Sequence, residues 1–338
     1  MQKRNAILIR TIFSLVGLAS LMQIIQNYGV ERIIEEIKIG SWGISLLILS
    51  FVPTLVCYSL SWLLITDQKA WHGEQRFFSK WRLFTKFSLL SIAWNNLTPF
   101  LKVGGEPLKY MLLSDHLPKR DAMASTINYN LIHLFSTALS FSIGALAIVF
   151  FYDTSSAIQI GTGIFLAIFA IVLILIPIFH KVIRQMWLKQ CLSDKGRWQR
   201  VVFYGIIISL ARVFRLAKER PLVFWSSVAV DTVARFVEGL TFYISFQFLS
   251  NSVGLFTAGL LDVGRTLVDT LFFFIPYQMG TREEGVHFFM EKVFHIDSKG
   301  FLTAVLFYRL VEIVWIVVGY LIWISSKNAA KEVRHASA

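Results

Sequence analysis

Long apolar runs divide this chain. Six of them, at about 7–26, 41–66, 122–151, 161–180, 221–250 and 300–325, each reach the ~20 mainly apolar residues that a helix needs to cross a bilayer. Two further stretches, 83–115 and 255–296, are apolar but are cut by Pro and Gly. The first is interrupted by "PFLKVGGEPLK" (99–109) and the second by "PYQMGTREEGV" (276–286). The segment 197–220, "RWQRVVFYGIIISLARVFRLAKER", has an apolar middle too short to span comfortably and Arg on both flanks. It reads as an amphipathic helix at the cytoplasmic interface, with a seventh span as the alternative. The opening "MQKRNAILIRTIFSLVGLASLMQIIQ" is similar to a signal peptide but has no A-x-A site, and Arg10 intrudes on its apolar part. An uncleaved first span is expected.

Charge placement turns the spans into a topology. Lys3, Arg4 and Arg10 lie at the N-terminus, and Lys69, Arg76, Lys80 and Arg82 in the loop 67–82. The region 181–220 has ten basic residues against two acidic ones, and the tail has Lys327, Lys331 and Arg334 against Glu332. By contrast 27–40 carries Glu31, Glu35 and Glu36 against Arg32 and Lys38, and 152–160 only Asp153. Excess Lys and Arg marks the cytoplasmic side, so both termini are expected inside. The count closes only if 83–115 and 255–296 each enter and leave on one side. Both then become re-entrant hairpins, one from each face, with irregular backbone that protein or water must line. The expected fold class is an all-α polytopic membrane protein: six full spans plus two re-entrant helical hairpins in an inverted-topology repeat. The whole of 1–338 is one membrane domain, with 1–151 as the first repeat and 161–325 as the second. Broken segments in matched positions of inverted repeats point to a binding site near the midplane.

Composition agrees with a bilayer as solvent. The 338 residues are 55% hydrophobic and only 16% charged, against about 25% charged in soluble domains. The net charge of +12 falls in loops with no recognition motif, so anionic phospholipid headgroups at the cytoplasmic basic loops are the expected partner, and nucleic acid is not. Cys57 lies in an apolar run and Cys191 in a basic loop, which argues against a disulfide. Glu284, His287 and Glu291 have metal-like helical spacing but form an incomplete set. No metal and no cofactor is expected. No H-E-x-x-H, G-x-S-x-G or P-loop occurs, so no catalytic residue is assigned. The many aromatics, ten Trp among them, suit interfaces and packing.

The two interruptions carry the candidate chemistry. Pro99 and Pro276 help end the first arm of each hairpin, and Pro107 suits the first turn of a returning helix behind Glu106. Thr281 and Glu284 fit a capping box. A helix N-terminus favours anions, and Lys102, Lys109 and Arg282 add full positive charge. The candidate substrate-binding set is therefore Lys102, Gly104, Gly105, Glu106, Lys109, Gly280, Thr281, Arg282, Glu283 and Glu284. The plainer alternative is that Gly and Pro shape tight turns and the charges sit at the interface. Intramembrane Asp231, Arg235 and Glu238 fall on one helical face, and Asp262, Arg265 and Asp269 repeat the pattern. Arg309 and Glu312 pair similarly in the last span. With Asn95 and Asn96 these suggest a polar cavity, with a structural ion-pair ladder as the alternative. Asn128, Asn130 and His133 serve either that cavity or helix–helix hydrogen bonding.

At these residues the chain resembles a known family. "NNLTPFLKVGGEPLK" is similar to the N…P…GGEP…R/K motif of the lysylphosphatidylglycerol synthase transmembrane-region family, also described as flippase-like. "FFIPYQMGTREEG" resembles its P…G…RE motif, and "YRLVEIVW" its R…W element. The resemblance implies a bacterial or archaeal membrane protein tied to movement of lipids or lipid-linked sugars, and some members are associated with hopanoid synthesis. Long members add a soluble aminoacyl-transferase domain. This chain ends soon after its last span, so lysine transfer is not implied. The family tends to carry an acidic residue in the span after the first motif, where this chain has Asn128, Asn130 and His133. The expected function is an integral membrane translocase of a lipid or polyprenyl-linked lipid, its anionic headgroup bound at the hairpin tips near the midplane. A membrane-embedded lipid-modifying enzyme and an accessory scaffold in lipid or hopanoid synthesis are the alternatives. The expected location is the bacterial inner membrane, and a homodimer is compatible with the sequence.

Overall fold

The computed structural model describes residues 43–66, 71, 76–97, 105–168, 170–171, 215–249 and 253–336, with isolated positions between 22 and 38. The expected first span at 7–26, the later part of 161–180 and most of 197–220 lie outside the described residues. Among the described residues every regular element is helical. We number them α1 (Ile44–Ile65, with a single turn residue at Ser50), α2 (Phe77–Leu97), α3 (Gly105–Ser114), α4 (Lys119–Phe151), α5 (Ser156–Ile168), α6 (Pro221–Val237), α7 (Leu240–Phe248), α8 (Leu255–Leu271), α9 (Thr281–Phe288) and α10 (Phe301–Ala336).

Three helices are long and apolar enough to cross a membrane by length and composition: Ile44–Ile65, Lys119–Phe151 and Phe301–Ser326. At 1.5 Å per residue the shortest is about 33 Å long, matching a hydrocarbon core of about 30 Å. Several of their hydroxyls are turned back onto their own helix. Thr126, Thr137 and Ser142 of α4 each donate to the carbonyl four residues back, which satisfies hydroxyls that lipid cannot solvate. Large apolar side chains face outward, with Leu134, Phe150 and Leu222 among the most exposed. On a soluble protein such a surface would drive association, whereas lipid accepts it.

Both Pro/Gly-cut stretches fold as antiparallel helix pairs. In the first, Asn95 and Ser91 of α2 meet Gly105 at the start of α3, and the Phe87 ring lies tilted against His116 beyond its end. In the second, Asp269 of α8 meets Arg282, Val268 abuts Gly285, and Gly264 lies under Phe289. A π-helical turn, Phe289–Val293, follows α9. The expected single span at 221–250 is instead two helices. Helical angles continue through Glu238 and Gly239, but the hydrogen bonds tighten there. The cause is a backbone-to-backbone contact: a Cβ on Gly239 would stand 2.5 Å from the Ala258 carbonyl oxygen and from Gly259 Cα.

The helices pack in matched partners. α1 lies antiparallel on α6, where Ser61 and Ser227 each donate to the other's backbone carbonyl at 3.1 and 2.9 Å. The first hairpin's long arm α2 packs on α10, with Ala93 against Gly319 and Trp94 against Trp323. The second hairpin's long arm α8 packs on α4, with Val263 against Gly144 and the Tyr152 hydroxyl on Thr257. One buried apolar cluster, including Trp62, Phe84, Leu113, Ile132 and Val228, lies on the side of the first hairpin. Another, including Phe242, Phe246, Leu260, Leu302 and Val305, lies on the side of the second. Charged side chains touch both, Lys109 at Trp62 of the first and Arg282 at Tyr308 of the second.

Candidate functional site

At the first tip, α3 begins at Gly105, whose N–H is accepted by Asn95 Oδ1 at 2.7 Å. Asn95 thus caps an orphan donor of the returning helix from the opposite arm. A Cβ on Gly105 would stand 2.3 Å from the Ser91 carbonyl oxygen, so only glycine allows this approach. One residue on, Glu106 accepts from Lys109 Nζ at 3.0 Å and from Asn130 of α4. Lys109 also donates to Asn130 Oδ1 at 3.1 Å and lies 4.8 Å from the centre of the Tyr129 ring and 5.8 Å from that of Trp62.

The second tip turns on residues with positive φ. Tyr277 and Gln278 both have positive φ, at 55° and 49°, and Gly280 follows at 80°. Non-glycine residues held there store strain, and the fold fastens them. Arg309 of α10 donates to the carbonyls of Tyr277 (3.0 Å) and Gln278 (3.3 Å) and to Glu283 at 2.7 Å. Glu283 is fully buried and its other oxygen accepts the Gly280 N–H at 2.9 Å. The capping box is therefore Gly280 with Glu283, one residue earlier than the expected Thr281–Glu284 pair. Gly280's left-handed turn starts the helix sooner, which leaves Thr281 bonded to the Gln278 carbonyl and Glu284 exposed beside His287. Arg282, only 2% exposed, is clamped between Asp269 (2.7 Å) and Glu312 (2.7 Å).

A run of charges joins the tips. From Lys109 it passes through Tyr129 to His133, which lies 3.0 Å from Asp231 and 2.6 Å from Arg235. Arg235 also donates to Thr137 and lies 3.7 Å from Glu238. Glu238 takes a hydrogen bond from the Tyr58 hydroxyl and lies 3.9 Å from Arg265, which binds Asp262 at 2.7 Å and Asp269 at 2.8 Å. Asp269 continues to Arg282. Tyr308 lies under Arg265, its ring centre 4.4 Å away. Some members keep solvent exposure although their helices are packed together: 35% for the His133 side chain, 28% for Glu106 and 28% for Glu312. The network is therefore not sealed in the core at these three side chains.

Of the expected site residues, Gly105, Glu106, Lys109, Gly280, Arg282 and Glu283 sit at the tips, and Asn95, Asp231, Arg235, Glu238, Asp262, Arg265 and Arg309 lie in or beside the network. Lys102 and Gly104 lie outside the described residues. Asn96 is half-buried on the same arm as Asn95, and Glu284 points away from the network. Arg309 and Glu312, expected to pair along their own helix, each reach across to the second hairpin. Asn130 and His133 join the network, while Asn128 leaves a buried oxygen without a hydrogen bond. His287 and Glu291 pair at 2.9 Å on the outer side of the second arm. The reading of the sequence missed the aromatic lining of Tyr58, Trp62, Tyr129 and Tyr308. The signal was present: Tyr129 precedes His133, and Tyr308 precedes Glu312, by one helical turn.

The family model described as "Lysylphosphatidylglycerol synthase TM region" matches residues 7–319. The chain belongs to the lysylphosphatidylglycerol synthase TM-region family. Both hairpin tips and the whole charged network fall inside the match. Membership supports a membrane protein with a lipid-related function. No curated relative and no solved structure matches the chain.

Proposed function

We propose that this protein is a translocase, not an enzyme, for a membrane lipid or polyprenyl-linked lipid in a bacterial cytoplasmic membrane. The carrying observation is that two helix pairs broken by Pro and Gly meet through one buried charged network that stays open at His133, Glu106 and Glu312. The matched packing of α2 on α10 and α8 on α4, about the reciprocal Ser61–Ser227 contact, supports reading the halves as an inverted repeat. Under that reading the helix pairs are re-entrant hairpins from opposite faces, and their tips lie near the midplane.

The headgroup is taken at the first tip. Glu106 is the exposed partner of a cation that is otherwise enclosed by Tyr129, Trp62 and Asn130. A phosphate that replaces Glu106 on Lys109 and Asn130 exchanges one anion for another. The cation stays paired throughout, which avoids the several kcal/mol that stripping a buried charge would cost. At the second tip Arg282 and Glu283 are fully engaged with carboxylate, guanidinium and backbone partners.

The test is a leaflet-specific assay in sealed proteoliposomes with fluorescent phosphatidylglycerol and a polyprenyl phosphate as probes. Removing one charge-assisted contact costs about 1.5–3 kcal/mol, so Lys109→Gln should slow transport by roughly 10- to 100-fold while the protein still inserts. Wild-type transport in Lys109→Gln, or chemical turnover of either lipid in detergent, would overturn the proposal.

A further inference from the structure

We infer that His133 is a proton-binding site whose filling moves Arg235 from α4 to Glu238 at the end of its own helix. The inference goes beyond the lipid reading and does not depend on it. It begins with what the Arg235 guanidinium holds. Its Nη2 makes two hydrogen bonds to α4, to His133 Nε2 at 2.6 Å and to the Thr137 hydroxyl at 2.7 Å. Both acceptors are neutral. A guanidinium can only donate, so His133 Nε2 must offer a lone pair, and the ring's one proton is on Nδ1, 3.0 Å from Asp231. The buried Nε of Arg235 has no hydrogen-bond partner. Glu238 Oε2 lies 3.7 Å from Nη1, beyond hydrogen-bond reach, and it has no hydrogen-bond partner either.

A proton on Nε2 reverses this arrangement. Nε2 becomes a donor, and two donors cannot stay in contact at 2.6 Å. Arg235 must leave, and Glu238 stands 3.7 Å away with an unused acceptor oxygen. The imidazolium keeps its Nδ1 hydrogen bond to Asp231, now as an ion pair. One proton thus replaces two bonds from a cation to neutral groups with two charge-assisted pairs, His133 with Asp231 and Arg235 with Glu238.

The other groups around the ring come from three helices. Tyr58 of α1 stands edge-on at 5.1 Å, and Tyr129 of α4 lies tilted at 5.7 Å. The Tyr58 hydroxyl donates to the second oxygen of Glu238, Oε1, and so leaves Oε2 for Arg235. Lys109 of α3 lies across the Tyr129 ring and is paired with Glu106. The His133 side chain is 35% exposed, so the ring is not shut inside the packing.

The switch acts between helices. With His133 neutral, Arg235 ties α6 to α4. Once on Glu238 it bonds only at the end of α6. Glu238 occupies the tightened turn between α6 and α7, and the next residue, Gly239, touches the backbone of α8. The proton exchanges a cross-helix tie for a local one at that turn.

Solid-state NMR of the full chain in lipid vesicles, 15N-labelled on His and Arg and followed from about pH 8 to about pH 5, tests this. The His133 signals are those lost in His133→Gln, whose amide can still accept from Arg235 and donate to Asp231 but cannot take the proton. The Arg235 signals are those lost in Arg235→Lys. At the upper pH His133 should be protonated on Nδ1 alone. As pH falls, the signal of the bare Nε2 should be lost, and the Arg235 guanidinium signals should shift over the same interval. In His133→Gln the Arg235 signals should stay in place across the series. In Glu238→Gln His133 should still titrate, while Arg235 arrives at a different final shift. A ring protonated on Nε2 at the upper pH, a bare Nε2 that persists to the lower pH, or Arg235 signals indifferent to the titration of His133 would overturn the site. Failure of lipid transport with these shifts intact would leave it standing.

Discussion

Arg309 offers the sharpest test of how the second tip is held. Its guanidinium joins α10 to three acceptors at once: fully buried Glu283 and the carbonyls of Tyr277 and Gln278, the two residues with φ of 55° and 49°. Arg309→Gln leaves Glu283 ionised in the interior with only the Gly280 N–H to answer it. Breaking a buried ion pair from one side costs about 3–5 kcal/mol. Arg309→Lys keeps the charge but cannot reach all three acceptors, and losing the two carbonyl contacts should cost about 1–3 kcal/mol. The strained turn, no longer fastened, should open.

The assay is hydrogen exchange on the detergent-solubilised protein, read over 276–284, together with thermal unfolding. Protection there should fall in the order wild type, Arg309→Lys, Arg309→Gln. Adding Glu283→Gln to Arg309→Gln removes the stranded charge, so the double variant should recover part of the loss, with a coupling of about 0.5–3 kcal/mol. Equal protection in wild type and Arg309→Gln would refute the reasoning. So would strict additivity in the double variant, because the penalty would then not come from Glu283.

Two glycine contacts give further expectations. Gly239→Ala should lower thermal stability by about 1–3 kcal/mol, since its Cβ meets the α8 backbone and no flexible side chain can yield; calorimetry indistinguishable from wild type would show that α7 and α8 do not touch there. Gly105→Val should prise the first tip from Ser91 and Asn95, and should make a cysteine pair placed across α2 and α3 crosslink less; unchanged crosslinking with full stability would remove the argument for a tight crossing.

Much of this architecture was legible in the sequence, and the reasons are physical. Apolar run length reports directly on helices that lipid must solvate, which is why 41–66, 122–151 and 300–325 reappear as α1, α4 and α10. Pro and Gly report on interrupted backbone, which is why the breaks at 99–109 and 276–286 separate α2 from α3 and α8 from α9. The break at Glu238–Gly239 was not legible. Glycine inside an apolar run is tolerated in a membrane helix, and only the partner backbone at Gly259 turns this one into a junction. The shift of the capping box to Gly280 and Glu283 was hidden for a similar reason. Thr281 and Glu284 satisfy the same spacing, and the choice falls to Arg309, which binds Glu283 from another helix.

The partners of the charges were the least legible part, and they alter the picture of the site most. Local spacing groups Asp231 with Arg235, Asp262 with Arg265, and Arg309 with Glu312. Packing adds the cross-helix bonds: His133 between Asp231 and Arg235, Arg282 between Asp269 and Glu312, Arg309 on Glu283. A cation at a hairpin tip suggests a waiting anion site when read alone. With its partners in place, each described cation of the network already holds a carboxylate or lies within an ion pair's reach of one. A headgroup that binds here must therefore enter by exchange, and exchange is cheapest where the resident carboxylate is exposed and singly committed to its cation. Glu106, 28% exposed, is the carboxylate on Lys109 at the first tip; at the second, Glu312 is as exposed but its Arg282 is also held by Asp269, and Glu283 is fully buried and held by Arg309 and the Gly280 amide. On the proposed function, the asymmetry between the tips favours exchange on the side of α3.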